Sequence, residues 1–184
     1  MKHSIVVSYK NIKLRPLYAD DLESLRTWRN DQELTRYLTP IGEISAEAQQ
    51  RWFENDTANP DSYTFAIDET KELKRFVGSV GLYEFTSDSA ECGRFLIDKT
   101  TSGRGIGFLS ITLCLYIGFE RLGLKRITAV VHEKNTSALT TDQRGGFVIV
   151  GERPYKYGGK EIEIVAERDY FYNLHSFIGE IEMS

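Results

Sequence analysis

The chain has 184 residues, 41% of them apolar and 27% charged, the composition of an ordinary globular protein and long enough for one cored domain. Its 23 basic and 27 acidic residues leave a net charge of −4, which argues against a protein held to nucleic acid by a general basic surface. Cys92 and Cys114 stand in apolar runs, as reduced core thiols do; no Cys/His cluster has metal-ligand spacing, no run reaches ~18 apolar residues and no apolar leader opens the chain, so a cytoplasmic protein without membrane or metal is expected.

Residues 5–17 alternate loosely and read as a first strand, with Pro16 marking its end. Asp20-Asp21 starts a helix with acidic residues at its positive end. Leu22, Leu25 and Trp28 then recur at helical spacing until Arg29-Asn30-Asp31 breaks the pattern. A short segment, 33–38, stops at Pro40. Ser45 caps the next helix, which carries Trp52-Phe53 near its end and stops at Asn59-Pro60-Asp61. Strands follow at 63–67, 75–85 and 90–97. Residues 108–122 are apolar nearly all round, as in a buried central helix, and Gly123 is a natural stop. A strand at 126–132 and a short helix at 135–144 come next, the helix ending at Gly145-Gly146. Strands at 147–154 and 162–171 are joined by Tyr157-Gly158-Gly159 as a hairpin. The order is β-α-α-β-β-β-loop-α-β-α-β-β, an α+β class. Residues 1–172 form one domain in this reading, and 173–184 are a tail whose structure the pattern leaves open.

One stretch organises the rest. Ser102-Gly103-Arg104-Gly105-Ile106-Gly107 lies between an apolar strand and the apolar central helix. Alternate glycines let a backbone fold tightly. Their N–H groups and the helix dipole can then face an anion, and Arg104 adds a full charge to the turn. No Gly-Lys-Ser/Thr follows, and the spacing is not that of the dinucleotide fingerprint.

This loop resembles the acetyl-CoA pyrophosphate loop of the GNAT N-acetyltransferases, Gln/Arg-x-x-Gly-x-Gly/Ala, with Gly105 and Gly107 at the glycine positions and Ser102 in place of Gln/Arg. Leu124 to Val131, Asn135, Ala138-Leu139 and Gly146-Phe147 extend the resemblance, which covers most of the chain. It implies the GNAT fold, a central mixed, mostly antiparallel twisted sheet flanked by helices, with acetyl-CoA as acyl donor. Within the family, Leu14-Arg15-Pro16, Asp20-Asp21 and Glu91 with Gly93 resemble the enzymes that acetylate ribosomal-protein N-termini. The set Trp28-Arg29-Asn30, Ile44-Ser45 and Trp52-Phe53 resembles the N-acetyltransferases of nucleotide-linked aminosugars, and this branch is preferred here.

Acetyl transfer from a thioester to an amine requires a gripped cofactor, a deprotonated amine, a polarised carbonyl and a protonated leaving thiolate. The resemblance assigns the grip to Gly103, Arg104, Gly105, Ile106 and Gly107, strand-like pairing with the pantetheine arm to the backbone of Leu96 and Ile97, and a cofactor contact to Asn135, which can equally be a plain helix N-cap. Glu91 is the first candidate base and Glu84 the second; a histidine can act as a base, but one at a strand end, like His132, is more often a surface or packing residue and is not chosen. Many GNATs place a tyrosine as acid seven residues after the asparagine, and here that position is Asp142. Asp142 is the candidate acid at that position, but an aspartate donates a proton near neutrality only if its pKa is raised; its plain reading is a solvated helix aspartate, in which case either no dedicated acid exists or a hydroxyl such as Tyr83 or Thr141 serves.

Trp28, Arg29, Asn30, Trp52 and Tyr83 are candidates for the acceptor side. Arg29 can pair with a phosphate and a tryptophan face can lie against a sugar or base; core packing is the competing role for both tryptophans. The leading expectation is an acetyl-CoA-dependent N-acetyltransferase acting on the primary amine of a small molecule, with a nucleotide-linked aminosugar as best guess. A protein N-terminal or polyamine acetyltransferase is the alternative. A non-catalytic acyl-CoA-binding module is the third reading, and a homodimer stays open.

Overall fold

The computed structural model of the protein describes residues 3–184. β1 (Val7–Tyr9) and β2 (Ile12–Pro16) are followed by α1 (Leu22–Asn30), α2 (Gln32–Thr35) and α3 (Ala46–Ala58). β3 (Ser62–Glu69), β4 (Arg75–Tyr83) and β5 (Ser89–Ile97) form an antiparallel meander. α4 (Ile106–Tyr116), β6 (Arg126–His132), α5 (Thr136–Gly145), β7 (Val148–Pro154), β8 (Lys160–Glu167), α6 (Arg168–Leu174) and β9 (Glu182–Met183) complete the chain. The strands build one open sheet in the order β7-β8-β6-β5-β4-β3-β2-β1-β9. Among the described residues only β5 and β6 pair in parallel, so the mixed, mostly antiparallel α+β expectation is met.

Successive side chains of a strand face opposite ways, and this sorts the core into two layers. Phe65 and Ile67 join the cluster beneath α4, while Ala66 joins the cluster beneath α1 and α3. Every residue of α4 from Leu109 to Leu115 is buried, as a helix apolar all round requires. The other layer holds Leu17, Leu22, Leu25, Ala66 and Leu96, with Trp28, Trp52, Phe53 and Phe76 packed against them.

Three expectations change, and the tail that the pattern left open has a defined structure. The first strand is a hairpin, turned at Lys10 in the left-handed region (φ 57). Tyr9 lies opposite Ile12, so Val7, Tyr9, Ile12 and Leu14 stay on one buried face and the reversal leaves the apolar rhythm undisturbed. The last long strand ends at Glu167, and Phe171, fully buried, belongs to α6. The tail is packed onto the domain: β9 pairs with β1, Phe177 stacks on Tyr9 at 4.7 Å, Ile181 is buried and His175 shares a 2.9 Å hydrogen bond with the Gly145 carbonyl. The central helix also starts two residues earlier than expected and passes at Ile117 into a π-helical turn ending at Arg121.

Two backbone features open the site. β5 and β6 pair only where Ser89–Glu91 meets Arg126–Thr128; beyond Glu91 they part. On its other side β5 carries one extra residue, because Gly93 faces Gly81 but Leu96 faces Ser79. Arg94 sits in that bulge at φ 52. A bulge bends a strand and re-aims its side chains.

Candidate active site

The parting of β5 and β6 makes a cavity of about 570 Å³. Leu25, Arg29, Tyr37, Ile44 and Trp52 line it from the α1–α3 side, and Ile111, Asn135, Ala138 and Asp142 from the α4–α5 side. It therefore passes through the sheet and joins the two faces. On the β6 side, Cys92 to Ile97 have no strand partner; Leu96 and Ile97 pair only with Ser79 and Gly78 of β4. An exposed strand edge accepts an extended, amide-bearing ligand as an added strand.

The glycine-rich loop follows the end of β5 and leads into α4. Gly103 (φ 79) and Gly105 (φ 71) both sit where a Cβ is strained, and Gly105 is the N-cap of α4. Gly107, in the first helical turn, leaves only 3.3 Å between a would-be Cβ and Thr141 Cγ2. Among the described residues, no acceptor meets the N–H groups of Gly103, Arg104, Gly105, Ile106, Gly107 or Phe108; the helix ladder begins with Leu109 N–H on the Gly105 carbonyl. Six bare donors at a helix start form an anion cradle. Arg104 is turned away to Glu72, so the cradle's charge comes from backbone rather than from the arginine expected there.

Asp142 and Asn135 are two helical turns apart and both line the cavity. Asn135 caps α5, its Oδ1 accepting from Ala138 N–H at 3.3 Å. Asp142 is buried at 6% exposure, and its Oδ1 has no hydrogen-bond partner. Burial raises its pKa from 3.8 to about 7. The helix aspartate is thus largely withdrawn from solvent, and its Oδ1 is unpaired. The thiol of its neighbour Cys92 is pushed well up, first by the adjoining Cys114 thiol and then by burial.

Across the cavity the Tyr83 hydroxyl donates to Glu91 Oε1 at 2.9 Å. Burial, then the Glu91 charge, raise the Tyr83 pKa far above the ordinary phenol range, so it stays a donor. Gly93 makes this pairing possible: a Cβ there would stand 2.2 Å from the Tyr83 hydroxyl oxygen. Arg94 supports the same wall. It reaches Asp56, Ser62 and Thr64, and its guanidinium lies 4.6 Å from the Tyr83 ring centroid and 5.8 Å from that of Trp52. Sequence reasoning missed Arg94; a lone charge inside the apolar run 92–97 was the available signal. His132 also lines the cavity, stacked on Tyr37 and edge-on to Tyr155, its Nδ1 accepting from Lys134 N–H.

The expected acceptor residues divide. Arg29, Trp52 and Tyr83 line the cavity. Trp28 does not; it packs on Phe76 at 5.1 Å within the α1–α3 core. Asn30 does not either; its Oδ1 accepts from Ile44 N–H at 2.8 Å and its Nδ2 donates to the Ile44 carbonyl at 2.9 Å, bracing the segment before α3. Among the described residues, no group of three or more His, Cys, Asp or Glu could hold a metal ion, and no helix is long and apolar enough to cross a membrane.

Residues 11–148 match the acetyltransferase (GNAT) domain family. An N-acetyltransferase 9-like protein of Caenorhabditis briggsae is 26% identical over 91% of this chain and 89% of its own length. Among solved structures, the spermidine N-acetyltransferase of Vibrio cholerae, in complex with CoA and spermine, superposes with a TM-score of 0.80 at 20% identity, covering 89% of this chain and 99% of that one. A candidate ribosomal-protein-serine acetyltransferase of Vibrio cholerae superposes at 0.72 with 21% identity, covering 88% and 97%. With its family domain spanning three-quarters of its length, and with the splayed parallel pair, the bare N–H groups of the glycine-rich loop and the asparagine helix cap in place, the chain belongs to the GNAT acetyltransferase family and is an N-acetyltransferase with acetyl-CoA as its acyl donor.

Proposed function

We propose that acetyl transfer takes place where β5 and β6 part, with Glu91 and Tyr83 on the amine side and Asp142 on the thiol side. Acetyl-CoA supplies the activated thioester. The bare N–H groups from Gly103 to Phe108 fit its pyrophosphate, and the free edge of Cys92 to Ile97 fits the amides of its pantetheine arm. Asn135 keeps its cap through Oδ1 and has its Nδ2 left to donate into the cavity. Glu91, steadied at Oε1 by Tyr83, has Oε2 open to take a proton from the incoming ammonium, directly or through one water. Asp142 holds a proton near neutrality and can give it to the departing sulfur.

Asp142 is the observation that carries this reading. A carboxyl group buried in the cavity without a partner is unfavourable for a module that only binds, whereas an acid needs its pKa near the working pH. The nucleotide-aminosugar acceptor is weakened, because two residues that suggested it, Trp28 and Asn30, are engaged in packing and bracing. Protein and polyamine acceptors remain compatible with the fold.

The test is thiol release from acetyl-CoA with a panel of primary amines. Asp142→Asn should lower kcat about 10²-fold, the low end for a general acid, and should remove the fall in rate as pH rises through about 7. Glu91→Gln should slow turnover more at low pH, where the amine needs help to deprotonate. Silence with every amine, while calorimetry shows CoA binding, would support the non-catalytic module instead.

A further inference from the structure

The cavity's charges are unevenly satisfied. Arg94 is paired with Asp56, Glu161 with Arg153, and Asp142 is protonated near neutrality. Glu91 has a hydrogen bond from Tyr83 but no cation. Arg29, on α1, has none: among the described residues it is the one arginine partly withdrawn from solvent whose side chain has no ion pair, hydrogen bond or ring partner. Desolvation alone holds its pKa below the ordinary guanidinium value. A guanidinium partly removed from water without a counter-charge is unfavourable, and a ligand anion relieves it. A second unpartnered donor points the same way: the hydroxyl of Tyr155, which lines the same cavity, is buried without an acceptor.

The position of Arg29 decides which molecule supplies the anion. The phosphate cradle leads into α4, on one face of the sheet, while Arg29 stands with α1 and α3 on the other. The cofactor's pyrophosphate and Arg29 therefore belong to opposite mouths. We infer that the amine acceptor is zwitterionic: its amine lies at Glu91, and a carboxylate or phosphate on the same molecule pairs with Arg29. This deepens the acetyl-transfer reading and rests on it for the amine end. It disfavours a polyamine, which brings further cations to a guanidinium and offers no anion.

The test uses matched amines differing only in the anion. Ala-Glu amide is compared with Ala-Gln amide for the carboxylate, and glucosamine 6-phosphate with glucosamine for the phosphate; spermidine is the cation-only control. For one pair, kcat/KM should favour the anionic amine at least tenfold, and that pair names the source. Arg29→Ala should reduce this ratio at least tenfold, and Arg29→Lys should keep part of it. A ratio near one for both pairs, a ratio unmoved by Arg29→Ala, or spermidine exceeding both anionic amines would overturn the inference. Calorimetry with glutarate and with inorganic phosphate, on protein saturated with CoA so that the cradle is filled, decides the case without turnover. Anion binding that Arg29→Ala abolishes, with melting temperature retained, upholds the subsite even if no amine is acetylated, in which case the acetyl-transfer reading falls alone. Absence of binding in the wild type, or equal binding in both proteins, overturns the subsite.

Discussion

Asp142→Asn tests the electrostatics of the site apart from its chemistry. Burial raises the folded-state pKa of Asp142 from 3.8 to about 7, and an unfolded chain restores the ordinary value. Below about pH 4 the group is protonated in both states and opposes nothing. Between about pH 4 and 7 the unfolded chain releases the proton and the folded one keeps it, so stability is lost as pH rises. Each unit is worth about 1.4 kcal/mol, and the three units amount to about 4 kcal/mol, an upper bound that water entry would reduce. Asparagine does not ionise, and its amide replaces a carboxyl whose Oδ1 already lacks a partner. The variant should therefore gain on the wild type by about 3 kcal/mol more at pH 8 than at pH 5, a melting-temperature difference of about 6–12 °C for a chain of this size. Urea unfolding of both proteins at the two pH values measures it. A difference that does not change with pH would refute the buried, unpaired carboxyl and with it the supply of an acid at neutrality.

Three further outcomes follow from packing and backbone geometry. Gly93→Ala places a methyl group 2.2 Å from the Tyr83 hydroxyl oxygen; it should displace the ring from Glu91 and cut kcat about tenfold or more, with stability changing by about 1 kcal/mol, whereas unchanged kinetics would free Tyr83 and Glu91 of their proposed role. Gly105→Glu puts a side chain at φ 71 and a carboxylate beside the bare N–H groups, so calorimetry should find CoA binding lost; retention in a folded variant would remove the loop from the cofactor site. A chain ending at Tyr172 forfeits the Phe177–Tyr9 stack, buried Ile181, the His175–Gly145 hydrogen bond and the β1–β9 pairing. It should lose roughly 4 kcal/mol, seen as a lower urea midpoint, and a midpoint like that of the full chain would show the tail to be incidental.

What the chain's order settles by itself is whatever local chemistry settles. The apolar sweep of residues 108–122 allowed no structure but a buried helix. Asn59-Pro60-Asp61 and Ser45 bound α3 wherever it packs. Alternate glycines between strand and helix announce an anion cradle because positive φ and bare N–H groups are properties of a few consecutive residues. The hairpin at Lys10 escaped because its two-residue reversal keeps Val7, Tyr9, Ile12 and Leu14 in phase, and the tail escaped because its partners, Tyr9 and Gly145, are remote in sequence. The site itself depended on tertiary structure. Asp142 in isolation is a polar residue on a short helix; only the packing of α5 against α4 buries it, beside the cavity that the parting of β5 from β6 opens. Trp28 and Arg29 are neighbours that helical geometry turns apart, but only the packing of α1 on the sheet decides that one meets the core and the other the cavity. Burial and pairing are set by residues far apart in the chain, and those two quantities fix a pKa, so the types of the reacting groups could be read from the sequence while their protonation states could not.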